Sequence, residues 1–293
     1  MNRPLALTLL LAGLPVLFLL PAATHLLGGP AAYRQAVTWG LPVAAALLAS
    51  AVFFRRPGLA ALRGSAAGRR DSPGTLLRLA PWCLAALVAD YSFLGMGHAL
   101  GWVTFTFGDQ GFSGHPARTL LWSLPLCLAL ATLGWEWTLR GTLFASWAER
   151  LPKPAALLIS CASGIGLAAP LILPGLDVPD PHFVLAAFMT AACREISFGL
   201  IFASGAGLPA AGLYRGLLAY LDAFVINDWY SVHFPAANFT SSEPAFYLIR
   251  SVTSVLAAVL IAAGAWLASR RGRTAGPSPG RPSRGDSRPA TSA

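Results

Sequence analysis

A long apolar run from Thr119 to Trp147 contains one acid and one base, Glu136 and Arg140. This pairing constrains the chain more than any other feature. A charge left alone in a membrane interior costs ~2.5–3.5 kcal/mol on insertion scales, so each needs a partner. On a helix, residues four apart share a face and lie within pairing reach. Ionisable residues inside such a run mark a candidate functional site. A purely structural ion pair tying this helix to its neighbours is the other reading.

The rest of the chain makes a membrane the natural solvent. Of 293 residues, 55% are hydrophobic and 11% charged, against about 25% charged in soluble domains. Several runs reach the roughly 20 residues that cross a bilayer. The expected architecture is all-α, a polytopic transmembrane helix bundle of about eight spans: 5–27, 36–54, 77–99, 119–148, 154–174, 183–203, 208–226 and 246–269. Residues 1–269 form one integral membrane domain. Residues 270–293, rich in Arg, Gly, Pro and Ser, form a disordered basic cytoplasmic tail, with too little apolar surface to fold. Pro21-Ala-Ala-Thr24 resembles a signal-peptidase site, but the long apolar core before it and the spans after it favour a retained helix.

The net charge of +9 concentrates in 55–78 and 270–288, beside spans. That pattern speaks for topology and contact with anionic lipid, not for nucleic acid. With a further basic turn at 150–153, it puts both termini in the cytoplasm. Arg34 and Arg118 are then the only basic residues outside. The expected location is multi-pass, in a bacterial inner membrane. The outer connections, 100–117 and 227–244, read as glycine-rich and aromatic-rich loops without strand-like alternation.

Besides Glu136 and Arg140, the spans bury Asp90, Arg194, Glu195, Arg215 and Asp222, which should meet in the interior and pair. A polar cavity among spans three, four, six and seven follows. It serves catalysis, a substrate path or structure alone. Glu136 is the general-base candidate, although Arg140 beside it favours the ionised carboxylate. At 1.5 Å per residue Glu136 lies roughly 25 Å from the outer end, toward the cytoplasmic half. His25, His98, His115, His182 and His233 all fall at or beyond the outer face. Cys83, Cys127, Cys161 and Cys193 lie in apolar spans without CxxC or Cys/His spacing, so they read as small packing residues. No metal or cofactor is expected, and GxSxG, HExxH and phosphate-loop motifs are absent. Gly212 and Gly216 form a GxxxG, and 160–169 is rich in small residues; both suit close helix approach. Ser204-Gly-Ala-Gly207 reads as a tight turn between spans six and seven.

Glu136-Trp-Thr-Leu-Arg140-Gly-Thr-Leu-Phe144 resembles the first motif of the CPBP family, the CAAX-protease and bacteriocin-processing intramembrane proteases, which reads Glu-Glu-x-x-x-Arg-Gly. Ala156-Leu-Leu-Ile-Ser160 resembles the start of the second motif helix. Phe198–Ala203 with Gly205–Leu208 resembles the approach to the third. About 119–226 is covered. The resemblance implies a membrane glutamic-type endopeptidase acting on a membrane-associated protein or peptide. In that family a Glu and a His activate water, and a His and an Asn bind the oxyanion. Here the first Glu of the pair falls on Trp135, the second-motif His near Ala168, and the Phe before it near Gly164. The third-motif His and Asn fall near Arg215 and Ala219. Glu136 and Arg140 are thus the catalytic candidates, with Arg215 behind them. The expected function is that of a CPBP-like protein with impaired or divergent catalysis. The alternatives are a non-catalytic scaffold or partner subunit and, last, a small-solute transporter.

Overall fold

The computed structural model describes residues 3–19, 40–53, 73–106, 124–172, 181–222, 236–239 and 244–274. Nearly all of them are helical. The elements are α1 (Arg3–Leu19), α2 (Leu41–Phe53), α3 (Pro73–Ala99), β1 (Val103–Thr106), α4 (helix 124–148), α5 (Lys153–Ile172), α6 (Pro181–Ile201), α7 (Gly207–Leu221), β2 (Ala236–Phe239) and α8 (Pro244–Thr274). Three helical stretches are long and apolar enough to cross a membrane: Gly74–Ala99, Pro181–Leu221 and Pro244–Arg270. The shorter apolar helices are Arg3–Pro15, Leu41–Val52 and Lys153–Ala169. The arginines of 55–72, the tail beyond 274, Arg34, Arg118, His25, His115 and His233 lie outside the described residues.

The 41-residue stretch Pro181–Leu221 is two helices. Gly205 and Gly207 have φ of +90° and +81°, a region open to glycine but strained for other residues. There the chain doubles back. Phe198 packs edge-on against Tyr214 and Arg194 meets Asp222, so α6 and α7 run antiparallel, as the Ser204–Gly207 turn requires.

The same antiparallel register recurs. A Cβ built on Gly212 would lie 2.8 Å from Thr132 Cα, and one on Gly216 2.9 Å from Leu128 Cα. The GxxxG of α7 is therefore the seam along which α7 and α4 touch backbone to backbone. Gly199 of α6 admits the Cys161 sulfur of α5, with 2.9 Å to its built Cβ. Gly264 of α8 admits Trp82 of α3 in the same way, while Phe246 meets Phe93 at the other end of that pair.

Two clusters fill the core. One joins α3, α6, α7 and α8 through Leu79, Phe198, Ile201, Tyr214 and Ile261. The other joins α1, α2, α4 and α5 through Leu7, Leu11, Leu41, Leu139 and Leu167. The first helix is thus packed into the bundle, and Trp147 Nε1 donates to Thr8 Oγ1 at 3.1 Å. Large apolar side chains such as Leu77, Leu84, Leu133, Leu158 and Leu248 point outward.

Two features depart from the sequence reading. The connections after α3 and before α8 carry an antiparallel strand pair, with Val103 opposite Phe239 and Thr106 opposite Ala236. Val103-Thr-Phe-Thr106 does alternate, with β-branched and aromatic residues, but over only four positions. Its partner is more than a hundred residues away, beyond any local signal. The strand is anchored where Val103 is buried among Phe93, Leu94 and Phe246. The second departure is in α4. It is continuous through 124–148, but Leu130–Phe144 is wound as a π-helix, with i→i+5 hydrogen bonds and a wider turn. Glu136 lies within this π-wound stretch; residues 119–123, from which its depth was counted, lie outside the described residues.

Candidate functional site

The three site candidates fall in one place. Glu136 and Arg140 face inward from α4, fully buried, and Arg215 reaches them from α7. Glu195 of α6 completes a closed ring of alternating charge. Arg140 Nη1 donates to Glu136 Oε1 at 3.2 Å, and Arg215 Nε donates to the same oxygen at 2.6 Å. Arg215 Nη2 donates to Glu195 Oε1 at 2.5 Å. Arg140 Nη2 donates to Glu195 Oε2 at 2.8 Å and to the Glu195 carbonyl at 2.9 Å. Two acids and two bases cancel. Desolvating four charges is tolerable only when each has a partner and directed hydrogen bonds.

Three small residues make the ring fit. Gly164 of α5 leaves room for the Glu195 carboxylate, because a Cβ there would lie 2.5 Å from its Cδ. Cys161 Sγ donates to the Glu195 carbonyl at 3.4 Å and accepts from Arg140 Nη2 at 3.6 Å. Ser160 Oγ donates to the Leu139 carbonyl at 2.8 Å, fixing α5 against α4. Two ring atoms are left over: Glu136 Oε2 and Arg140 Nε are buried without a hydrogen-bond partner among the described residues.

A second polar cluster adjoins the ring. Arg194 stands between Asp90 of α3, at 2.8 Å, and Asp222 at the end of α7. Tyr91 donates to Asp222 Oδ1 at 2.7 Å. Ser254 of α8 donates to Asp90 Oδ1 at 2.8 Å. Arg250 lies over the Phe93 ring at 5.4 Å, repelled by Arg194 and attracted by Asp222 and Asp90. It supplies the fourth base that matches the four buried acids. Sequence reading missed Arg250 because it sits just inside the last apolar run, where a charge looks like an interfacial end.

Between the two clusters lies a cavity of about 220 Å³. Its lower wall is Trp135, Gly164, Glu195, Phe198 and Arg215. Its lining then runs along α4 to Cys127, along α5 to Ala168 and along α7 to Asp222, with Pro42 of α2 at one side. Helices four to seven therefore enclose it. Arg215 is clamped by aromatic faces, 4.1 Å from Phe198 and 5.7 Å from Trp135, a cation–π arrangement. Trp135, on which the family resemblance places the first Glu, Ala168, Arg215 and Ala219, near which it places the His and Asn groups, and Gly164, near which it places the second-motif Phe, all line this one cavity.

Among the described residues no group of three or more His, Cys, Asp and Glu has metal-binding geometry, and all four cysteines are free thiols. His98 Nδ1 lies 3.0 Å from the Val103 carbonyl, at the strand end, and His182 begins α6. Neither lines the cavity. No protein-family model, curated protein or solved structure matches the chain.

Proposed function

We propose that this chain is a multi-pass helical membrane protein, on a bundle like that of the CPBP intramembrane proteases, whose chamber binds rather than cuts. The observation that carries this is the closed ring. Glu136 Oε1 accepts from two guanidinium groups, and the whole side chain is buried, so that oxygen is spent on the ring. A general base must reach the proton that it abstracts. The chamber offers a tryptophan where the family's mechanism needs its base, and two alanines and an arginine near the slots of its His and Asn groups. That these five positions share one cavity supports the family reading. Their side chains support its non-catalytic branch, a scaffold or partner subunit.

Orientation follows from charge. Arg3, Arg78, Arg150, Lys153 and Arg270 are exposed at the end of the bundle opposite the strand pair. Under the positive-inside rule that end is cytoplasmic, both termini included. The expected location is a bacterial inner membrane, with lipid as the surrounding partner.

A divergent peptidase using Glu136 with Arg215 is favoured by one observation, the unpartnered Glu136 Oε2. The purified protein in lipid vesicles, incubated with a library of membrane-inserted peptides and read by mass spectrometry, separates the two. No cleavage beyond a Glu136→Gln control is expected. Cleavage by the wild-type chain alone would establish the peptidase.

A further inference from the structure

We infer that the cavity is a binding vestibule entered from the outer face, taking a small neutral solute through its carbonyl oxygen, with Arg215 as the donor. The inference rests on the orientation proposed above. From the lower wall, the lining travels in one direction on every helix. It goes from Trp135 to Cys127, from Gly164 to Ala168, from Phe198 to Ala191 and from Arg215 to Asp222. Because the helices alternate in direction, each of these runs leads toward the end with the strand pair, away from the exposed bases. Exposure falls along the same path. The side chains are 30% exposed at Asp222, 16% at Arg194, 12% at Arg215, 6% at Glu195 and nil at Glu136. The mouth is therefore beside Asp222, and the floor is the ion ring.

The ligand class follows from what the walls leave unspent. All three Arg194 nitrogens are engaged by Asp90 and Asp222. Both oxygens of Asp222 and of Glu195 are engaged as well. Arg215 uses Nε and Nη2, while its Nη1 makes no hydrogen bond among the described residues. That nitrogen, with two N–H groups on a wall flanked by aromatic rings, calls for an acceptor oxygen. By count the four bases Arg140, Arg194, Arg215 and Arg250 equal the four acids Asp90, Glu136, Glu195 and Asp222, so a ligand bringing a full negative charge would go uncompensated beside Asp222 and Glu195. A neutral amide or similar carbonyl fits. The space, about 220 Å³, is below the roughly 300–1,000 Å³ of pockets for drug-sized ligands, which points to a small molecule.

The test uses the full chain in intact cells, with the parent as blank, because its cysteines are buried or half-buried. Ala219→Cys reports the vestibule and Leu151→Cys the basic turn; Leu130→Cys repeats the vestibule test on the facing wall. Each is treated with a membrane-impermeant maleimide before and after permeabilisation. We expect Ala219→Cys to label from outside at least tenfold above the blank, and Leu151→Cys only after permeabilisation. Millimolar N-acetylglycine amide should slow vestibule labelling severalfold, and the carboxylate N-acetylglycine should not. Labelling of Ala219→Cys and Leu130→Cys only after permeabilisation, or not at all, with Leu151→Cys inside as expected, overturns the inference alone. Leu151→Cys labelling from outside overturns the orientation and outer access with it. Equal protection by both compounds, or by neither, removes the ligand assignment.

Discussion

Gly164 of α5 lies against the carboxylate of Glu195 of α6, so closely that a Cβ at 164 would fall 2.5 Å from Glu195 Cδ and 2.9 Å from its Oε1. The absence of one side chain on α5 is what lets Glu195 reach both Arg140 and Arg215. Gly164→Val should push the carboxylate off its partners and leave two buried guanidinium groups short. Breaking a buried pair costs ~3–5 kcal/mol. Thermal unfolding in detergent should show a large fall in Tm. Gly166→Ala, two positions on, meets nothing within 4 Å. It should be neutral or gain up to ~1 kcal/mol from helix propensity.

The α4–α7 seam gives an independent test. Gly212→Leu or Gly216→Leu places a side chain where Thr132 and Leu128 already stand. Overpacking typically costs ~1–3 kcal/mol, and helix separation here also strains the ring, since Arg215 lies between the two glycines. Unfolding midpoints should drop for both. Gly95→Ala, with open space around it, should not follow them.

How much of this was legible in the sequence depends on the range of the signal. Glu136 and Arg140 pair as their four-residue spacing requires. The need of every buried charge for a partner foretold that Asp90, Arg194, Glu195, Arg215 and Asp222 would meet. Which acid meets which base was not legible, because a single helical pattern carries no register between helices. The notch at Gly164 was invisible for the same reason: a glycine among small residues reads as general close packing until its opposite number is known. The strand pair joins residues too far apart to signal each other, and π winding across Leu130–Phe144 has no propensity pattern of its own.

The ring should act as a unit. Glu136→Gln leaves Arg140 with Glu195 alone, and Arg140→Met leaves Glu136 with Arg215 alone. Each single change should cost ~3–5 kcal/mol. The double variant should cost clearly less than the sum, with a coupling of ~0.5–3 kcal/mol in a double-mutant cycle. Additive losses would mean that the two groups do not share one network.

Tyr91 joins the second cluster through its hydroxyl, which donates to Asp222 at 2.7 Å and lies 3.1 Å from the Leu218 carbonyl, and through its ring, over which Arg194 lies at 5.8 Å. Tyr91→Phe keeps the ring contacts with Phe93 and Arg194 and removes only the hydroxyl's bonds. A loss of ~1.5–3 kcal/mol is expected for a hydrogen bond to a charged group, read as a fall in Tm.

The central claim is that Glu136 holds the bundle together and does not move a proton. Complementation of a strain lacking this protein with Glu136→Gln, with membrane levels of folded protein measured in parallel, tests it most directly. The account predicts that any loss of function tracks the loss of folded protein, so that activity per folded molecule is unchanged. A Glu136→Gln chain that reaches wild-type levels and is inactive would contradict it, and would make Glu136 a catalytic carboxylate.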